Sequence, residues 1–269
     1  EIKYFNDHFG INHFTWLDDD LFYDPERTFN LFNRIIQSGL KITWDASNGI
    51  IVSAATVHPE LIGAAEDSGC IGMHFGIESG NEKILRDIHK PSGIKHYLKL
   101  GQLMSEHPNI FTRGFLIIGF PNESLQQIKD TISVAKEMSL DWYTIQLLTP
   151  LPSTEIYEQM VDFGLIEKDS LNTDGEGYTM FSVRESERQR IYEESKVTKS
   201  DQVLDLFTKN PDHIPSKKEL SDLWFFVDYE INYKDIATLK DKTKIIKLRA
   251  FLEDVSDRMT RDNPLANYF

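Results

Sequence analysis

The 269-residue sequence is poor in three features that each mark a common class of protein. It has one cysteine, Cys70, so it cannot form an internal disulfide, which suits a reducing compartment. It contains no run of 18 apolar residues and no recognisable signal peptide, so no membrane association is predicted. Basic residues number 29 against 43 acidic ones, and the net charge of −14 argues against a nucleic-acid partner. We therefore expect a cytoplasmic protein.

Several motifs of well-known enzyme classes are also missing. The sequence has no Walker loop, no G-x-G-x-x-G, no G-x-S-x-G elbow and no HExxH or HxH spacing. The isolated strand histidines His13 and His74 are interpreted as packed, hydrogen-bonded residues, and Cys70 as a buried structural thiol. Apolar residues still make up 40% of the chain, which is enough for a substantial core.

Strand and helix patterns alternate along the first 165 residues at intervals of about thirty residues. This spacing predicts an α/β fold with five parallel strands, each followed by helix. Two architectures fit it, a doubly wound sheet or an arc of a (β/α) barrel. After residue 166 the sequence becomes polar and then helical, so we expect domains at 1–165 and 166–269. The predicted strands are 11–17, 41–47, 71–79, 111–120 and 141–150.

The helix after the first predicted strand has clear end signals. Asp24 is suited to the N-cap and Pro25 to the first helical position, while Gly39 is expected to end the helix. The apolar spacing predicts a buried stripe of Phe29, Phe32, Ile35 and Ile36.

Polar residues follow each predicted strand. In both candidate architectures functional groups gather at the carboxyl ends of the strands. This rule selects Asp18–Asp20, Asp45–Asn48, Glu78–Asn81, Gly119–Glu123 and Thr149–Thr154.

The run Asp18–Asp20 has two interpretations. It could be a solvated turn and helix-capping cluster, since aspartate is common in such loops. It could instead bind a cation, either a divalent metal or the ammonium group of an amino-acid-like ligand. Successive strand residues point to opposite faces, so at most two of the three carboxylates share a direction.

The order of these motifs resembles the radical S-adenosylmethionine (SAM) superfamily. The segments that carry the resemblance are "WLDDDLFYDPERTFNLFNRIIQSGLKITWDAS", "HPELIGAAEDSGCIGMHFGIESGNEKILRDIHK" and "GFLIIGFPNESLQQIKDTISVAKEMSLDWYTIQLLTPLPSTEIYEQM". They are most similar to the branch whose members often carry an N-terminal cobalamin-binding domain. The resemblance implies a partial (β/α) barrel of radical SAM type with a C-terminal, mainly helical region that caps the substrate site.

The resemblance also implies which residues bind SAM. Asp19 and Asp20 match the acidic pair near the SAM amino group. Glu78 and Ser79 match the polar pair near the ribose and the amino-acid part. The adenosine part corresponds to the turn of Gly119 and Pro121 and to the last strand, where Leu148 and Pro150 match.

One feature of the family is absent from this sequence. Family members bind a [4Fe–4S] cluster through three cysteines spaced C-x3-C-x2-C after their first strand, and Cys70 lies far from such a loop. The chain is therefore expected to be N-terminally truncated, with the cluster ligands outside it, and this fragment alone to be inactive.

The resemblance implies an enzyme. The full-length protein would cleave SAM reductively to a 5′-deoxyadenosyl radical and modify a small molecule, with cobalamin-dependent methyl transfer as the expected outcome. A reductant such as ferredoxin or flavodoxin would be required. Two alternatives remain open, a non-catalytic SAM-binding or scaffold paralogue and a metal-dependent barrel lyase or hydrolase. The metal-dependent enzyme would use Asp19, Asp20, Glu78 and His74.

Overall fold

The computed structural model describes residues 1–151, 153–164, 210–236 and 241–260. These residues form two compact units. Unit 1 contains residues 1–116 and 130–144, and unit 2 contains residues 117–129 and the described part of 145–269. The expected domain boundary at 165/166 lies outside the described residues and stays a prediction.

Helices and strands alternate through the first 162 residues, and the later described residues are largely helical. The elements of the first half are α1 (Ile2–Phe9), β1 (His13–Trp16), α2 (Pro25–Ser38), β2 (Thr43–Ile51), α3 (Val52–Val57), α4 (Glu60–Asp67), β3 (Cys70–Glu78), α5 (Glu82–Asp87) and α6 (Ile94–Ser105). They are followed by β4 (Phe111–Ile118), α7 (Leu125–Met138), β5 (Trp142–Leu147), α8 (Glu155–Asp162), α9 (Lys217–Asp228), a π-helix (Tyr229–Tyr233) and α10 (Asp241–Thr260).

The five strands form one parallel sheet, as the sequence predicts. Their spatial order is β1-β2-β3-β4-β5, the same as their order along the chain. A doubly wound sheet would reverse its strand order at a switch point, and this sheet does not. The sheet is therefore an arc of a (β/α) barrel, and the carboxyl ends of its strands lie along one edge.

The predicted ends of helix α2 are confirmed, but only part of its predicted buried stripe is buried. The Asp24 side chain accepts a hydrogen bond from the Arg27 amide at 3.0 Å. Phe32 and Ile35 are buried, whereas Phe29 and Ile36 are about 40% exposed, so their predicted burial is wrong. The buried face is rotated toward Thr28, whose hydroxyl donates to the Leu21 carbonyl at 2.6 Å. The stripe is narrower than the spacing of apolar residues indicates. Gly39 ends the helix in a left-handed conformation.

Strand β2 is longer than predicted because it contains an irregularity. Ala46 pairs with Met73 and Ile50 pairs with Phe75, so β2 advances four residues while β3 advances two. Gly49 lies within this irregularity at φ 97°, a conformation that favours glycine. The strand then continues to Ile51 and passes directly into the short helix α3, which the sequence does not predict.

The described part of the chain contains no helix long and apolar enough to cross a membrane.

Candidate functional site

The three aspartates after β1 have three different environments. Asp18 lies 3.7 Å from the Arg27 guanidinium. The Asp20 carboxylate accepts hydrogen bonds from the amides of Phe22 at 3.2 Å and Ile51 at 3.4 Å, which joins this loop to the end of β2. Burial raises the pKa of Asp20, and those two backbone hydrogen bonds partly oppose the rise. Within the described residues the exposed Asp19 has no hydrogen-bonding partner, so its carboxylate is available to a ligand.

A glutamate and a lysine meet at the carboxyl end of β3. The ammonium of Lys90 donates to Oε1 of Glu78 at 2.8 Å, and both side chains are only about one-fifth exposed. A Cβ atom added to Gly76 would lie 3.0 Å from each of these two polar atoms, so the ion pair lies directly over a glycine. The ion pair therefore lies at the end of β3, on the face toward which a side chain at position 76 would point.

The backbone at Glu78 is in an unusual conformation. Its φ is 65°, in the left-handed region that a residue with a long side chain rarely adopts. The pairing of β3 with β4 shifts register between Gly76 and Glu78. Such strain costs on the order of 1–3 kcal/mol and is concentrated at functional sites. The backbone at Glu78 therefore adds a second reason, besides its strand-end position, to treat this neighbourhood as a candidate site.

Lys90 reaches Glu78 because of how α5 ends. His89 takes a left-handed conformation at φ 56°, the Lys90 amide bonds the Leu85 carbonyl at 2.9 Å, and the His89 amide bonds the Arg86 carbonyl at 3.1 Å. This is a Schellman termination, which reverses the chain after a helix. Lys90 is not among the predicted site residues, and its only sequence signal is its position three residues beyond the end of α5.

Ser79 faces the interior of unit 1. Its side chain is fully buried, its hydroxyl lies 3.2 Å from the Thr131 hydroxyl of α7, and it accepts from the Asn81 amide at 3.1 Å. The Thr131 hydroxyl also accepts from the Gly80 amide at 2.9 Å. A Cβ at Gly80 would lie 2.6 Å from the Thr131 Cα, so only glycine allows this approach. Ser79 thus holds the strand end against α7, and its predicted contact with SAM remains a prediction.

In unit 2, a buried glutamate fixes the turn after β4. Oε2 of Glu123 accepts hydrogen bonds from the amides of Gly119 at 2.6 Å and Phe120 at 3.2 Å. Glu123 is 2% exposed, and burial raises its pKa to about 8 despite these two hydrogen bonds. Gly119 itself has φ 89°, where a side chain would be strained. The turn through Pro121 is therefore held in one shape by a side chain that solvent does not reach.

The end of β5 joins the same turn. The Leu148 amide donates to the Ile118 carbonyl at 2.9 Å, and a Cβ at Gly119 would lie 4.0 Å from the Leu148 nitrogen. Pro150 is buried just beyond. Unit 2 thus brings Gly119 close to Leu148, two of its four predicted cofactor-binding residues.

Cys70 is buried and His74 is partly buried, whereas His13 is hydrogen-bonded but about half exposed, so its predicted packing is wrong. His13 lies 2.9 Å from the Thr43 hydroxyl and 3.0 Å from an Asp45 carboxylate oxygen. His74 Nδ1 lies 3.1 Å from the Ser47 carbonyl oxygen, and burial, followed by the nearby Arg113 charge, lowers its pKa. Burial raises the pKa of the Cys70 thiol to about 12.

The donor set of this chain does not fit an iron–sulfur cluster. A [4Fe–4S] cluster requires several thiolates, and Cys70 is a buried thiol in a strand. Asp19, Asp20, Glu78 and His74, the predicted metal-binding set, do not form a metal site, because no group of three or more potential ligands comes together in the described residues. This arrangement argues against the metal-dependent lyase or hydrolase.

Sequence comparison identifies the family. The profile of the Radical SAM superfamily matches residues 1–135, half of the chain. The chain therefore belongs to the radical SAM superfamily, as its motifs indicate.

The individual relatives share less than a third of their aligned residues with this chain. An uncharacterized methyltransferase of Pyrococcus horikoshii is 29% identical over 167 residues, covering 62% of this chain and 35% of the relative. Bacteriochlorophyllide d C-12(1)-methyltransferase of Chlorobaculum tepidum is 28% identical over 150 residues, covering 55% and 32%. The solved structure of the cobalamin-dependent radical enzyme OxsB covers 96% of this chain and 39% of its own, at 13% identity and a TM-score of 0.48. The chain spans about a third of the length of the curated relatives it matches.

Proposed function

We propose that this chain is the SAM-binding part of a radical SAM enzyme that transfers a methyl group to a small molecule, with cobalamin as a second cofactor. Family membership supports radical SAM chemistry. The two curated relatives compared are both named methyltransferases, which supports methyl transfer. The cobalamin proposal depends on the resemblance to the branch that often carries a cobalamin-binding domain. Cluster and cobalamin ligands would both lie outside this chain.

The observation that carries the proposal is the Glu78–Lys90 pair over Gly76. The methionine part of SAM is a zwitterion, so its site needs both an anion and a cation. Asp19 and the second oxygen of Asp20 would bind the ammonium group. Lys90 uses one of its three N–H donors on Glu78, and within the described residues the others are available to the SAM carboxylate.

Each group of this site has a separate structural task. Lys90 would hold the carboxylate by charge-assisted hydrogen bonds, which are stronger than neutral ones. Glu78 would keep the Lys90 ammonium in place and accept from a ribose hydroxyl. The assignment of Gly119, Pro121, Leu148 and Pro150 to the adenosine part comes from the family resemblance and remains a prediction. SAM supplies the methyl group or the 5′-deoxyadenosyl group when bound.

A binding experiment on the full-length protein tests this assignment. Isothermal titration calorimetry under anaerobic conditions would measure the dissociation constant for SAM in the wild type and in Lys90→Met. We expect the variant to raise this constant at least about tenfold, because a hydrogen bond between charged groups is lost. The matched control Lys95→Met removes an exposed lysine of α6 and should change nothing. Equal constants for all three proteins would contradict the proposed site.

The reaction itself needs a second measurement. Full-length protein with its cluster reconstituted is incubated with SAM and dithionite, and 5′-deoxyadenosine and S-adenosylhomocysteine are quantified. Formation of either product supports the enzyme. SAM binding without any turnover would favour the non-catalytic SAM-binding paralogue instead. Cleavage of SAM by residues 1–269 alone after iron–sulfide reconstitution would contradict the predicted inactivity of this chain.

A further inference from the structure

The turn at the end of β3 is closed by a hydrogen bond within the backbone. The Ser79 amide donates to the Ile77 carbonyl at 2.9 Å. A bond between residues two apart defines a γ-turn, and with Glu78 at φ 65° it is the strained form of that turn. The pairing of β3 with β4 also shifts register here, between Gly76 and Glu78. The Glu78 side chain therefore leaves the strand from a turn at which the regular strand pairing is interrupted.

A buried tyrosine binds this turn. Tyr97 lies near the start of α6, is fully buried, and donates its hydroxyl proton to the same Ile77 carbonyl at 2.7 Å. Burial, followed by the charges of Glu78 and Glu82, raises the pKa of Tyr97, so the hydroxyl keeps its proton and acts as a donor. The Ile77 carbonyl thus accepts both from the amide that closes the turn and from a side chain of α6.

The Tyr97 hydroxyl also reaches the segment that carries Lys90. It lies 3.3 Å from the carbonyl oxygen of Ser92, two residues beyond Lys90, and so makes a bifurcated hydrogen bond to two carbonyls. Ser92 is itself fixed, because its buried hydroxyl accepts from the Ser53 amide of α3 at 2.9 Å. One side chain therefore joins the residue before Glu78 to the residue two positions after Lys90.

We propose that Tyr97 is a positioning residue of the SAM site: by binding both carbonyls it fixes Lys90 relative to Glu78, and so sets how firmly Lys90 binds the SAM carboxylate. The inference rests on the proposed function and deepens it. Tyr97 is fully buried, so it acts on the ligand only through the ion pair. A lysine that the protein does not hold in place must be ordered by the ligand, and this ordering costs conformational entropy that reduces affinity.

The test compares two ligands on the full-length protein. SAM and decarboxylated SAM differ only in the carboxyl group, which is the group that Lys90 would bind. Decarboxylated SAM should therefore bind the wild type more weakly than SAM. We expect Tyr97→Phe, which removes only the hydroxyl, to raise the dissociation constant of SAM about fivefold in calorimetry, the contribution of about one neutral hydrogen bond. The dissociation constant of decarboxylated SAM should stay nearly unchanged.

Tyr143→Phe is the matched control. Tyr143 is also a buried tyrosine of unit 1, and its hydroxyl donates to a backbone carbonyl, that of Ala135, at 2.7 Å. This variant should lose a comparable amount of stability in thermal unfolding and keep the wild-type affinity for both ligands. Incorporation of 4-aminophenylalanine at position 97 restores an N–H donor, and it should recover most of the SAM affinity that Tyr97→Phe loses.

A second variant keeps the test decisive if Tyr97→Phe does not fold. Ser92→Ala removes the acceptor of the Ser53 amide and loosens the Lys90 segment at another point, so it should also weaken SAM and spare decarboxylated SAM. If the folded variants weaken both ligands equally, or neither, the inference is overturned, because the hydroxyl would then have a structural role or none. Lys90→Met distinguishes the two failures: if it also leaves SAM binding unchanged, the proposed function fails together with the inference.

Discussion

Glu78 is the last residue of β3 and Glu123 lies in the turn after β4, and the protein stabilises their two carboxyl groups in opposite ways. Glu78, in unit 1, is about one-fifth exposed and pairs with the Lys90 ammonium. Glu123, in unit 2, is almost completely buried, and one of its oxygens accepts from the backbone amides of Gly119 and Phe120. Its other oxygen has no partner among the described residues.

This difference suggests that Glu78 is suited to ligand binding and Glu123 to stabilising the fold. Lys90, the partner of Glu78, keeps N–H donors that the ion pair does not use, and the pair adjoins a strained backbone, so a ligand can add to it. The groups that bind Glu123 are backbone amides, which cannot turn away from it as a side chain could. We therefore expect substitutions at Glu123 to act on stability, and substitutions at Glu78 to act on ligand affinity.

The largest expected effect is the pH dependence of stability caused by Glu123. Burial raises its folded-state pKa from 4.5 to about 8, so the folded state binds the proton more tightly than the unfolded state. Its contribution is fully present below pH 4.5 and is lost as pH rises through 8, by roughly 5 kcal/mol at 1.36 kcal/mol per pKa unit. Unfolding midpoints of the wild type between pH 5 and 9 would show this fall.

Glu123→Gln provides the control for this measurement, because glutamine keeps an acceptor oxygen and cannot ionise. The free energy of unfolding of Glu123→Gln should therefore not show the fall with rising pH that Glu123 causes in the wild type. If the unfolding midpoints of the wild type and the variant change with pH in parallel, Glu123 titrates normally. The proposed difference between the buried Glu123 and the ion-paired Glu78 would then lack its electrostatic support.

Removing the Glu123 side chain is expected to have the next largest effect. At pH 6 Glu123→Ala leaves the amides of Gly119 and Phe120 without their acceptor and opens a cavity. The expected loss is about 3 kcal/mol in the free energy of unfolding, measured by urea denaturation. A loss below 1 kcal/mol would show that water or a backbone shift replaces the carboxyl group easily.

The sequence predicts the strands and helix α2 of this molecule well, for a physical reason. Strand and helix types follow from the period of apolar residues, and caps such as Asp24 and Gly39 are local choices, so all five strands and α2 are confirmed. The buried face of α2 is less predictable, because Phe29 and Ile36 fit the same period as Phe32 and Ile35. Only tertiary packing decides which side of a broad apolar face is covered.

The candidate site is less predictable because it depends on backbone geometry. The strand-end rule locates Asp20, Glu78 and Gly119, but it does not show that Asp20 bonds the end of β2. Lys90 becomes a site residue only through the left-handed conformation of His89, which no sequence period reports. The irregularity of β2 near Gly49 and the helix α3 after it are missed for the same reason.

Glu78→Asn should separate binding from stability in unit 1. Asparagine tolerates the left-handed conformation better than glutamate, which offsets the loss of the partly exposed ion pair with Lys90. The free energy of unfolding should therefore stay within about 1 kcal/mol of the wild type. Affinity for SAM should fall about tenfold in calorimetry, because the Lys90 ammonium is no longer held in place. A variant with wild-type affinity would assign Glu78 a purely structural role, like that of Glu123.

The smallest expected effect is at Asp18, whose protein partner Arg27 is more than half exposed. Its contact with Arg27 is long, at 3.7 Å, and both side chains are at least one-third exposed. Solvent-exposed ion pairs contribute little, so Asp18→Asn should change the free energy of unfolding by less than about 0.5 kcal/mol. SAM affinity should also be unchanged, whereas Asp19→Asn in the same run should weaken it. An equal loss of affinity in both variants would mean that the summed charge of the loop attracts the ligand, and the assignment of individual carboxylates to the SAM ammonium would fail.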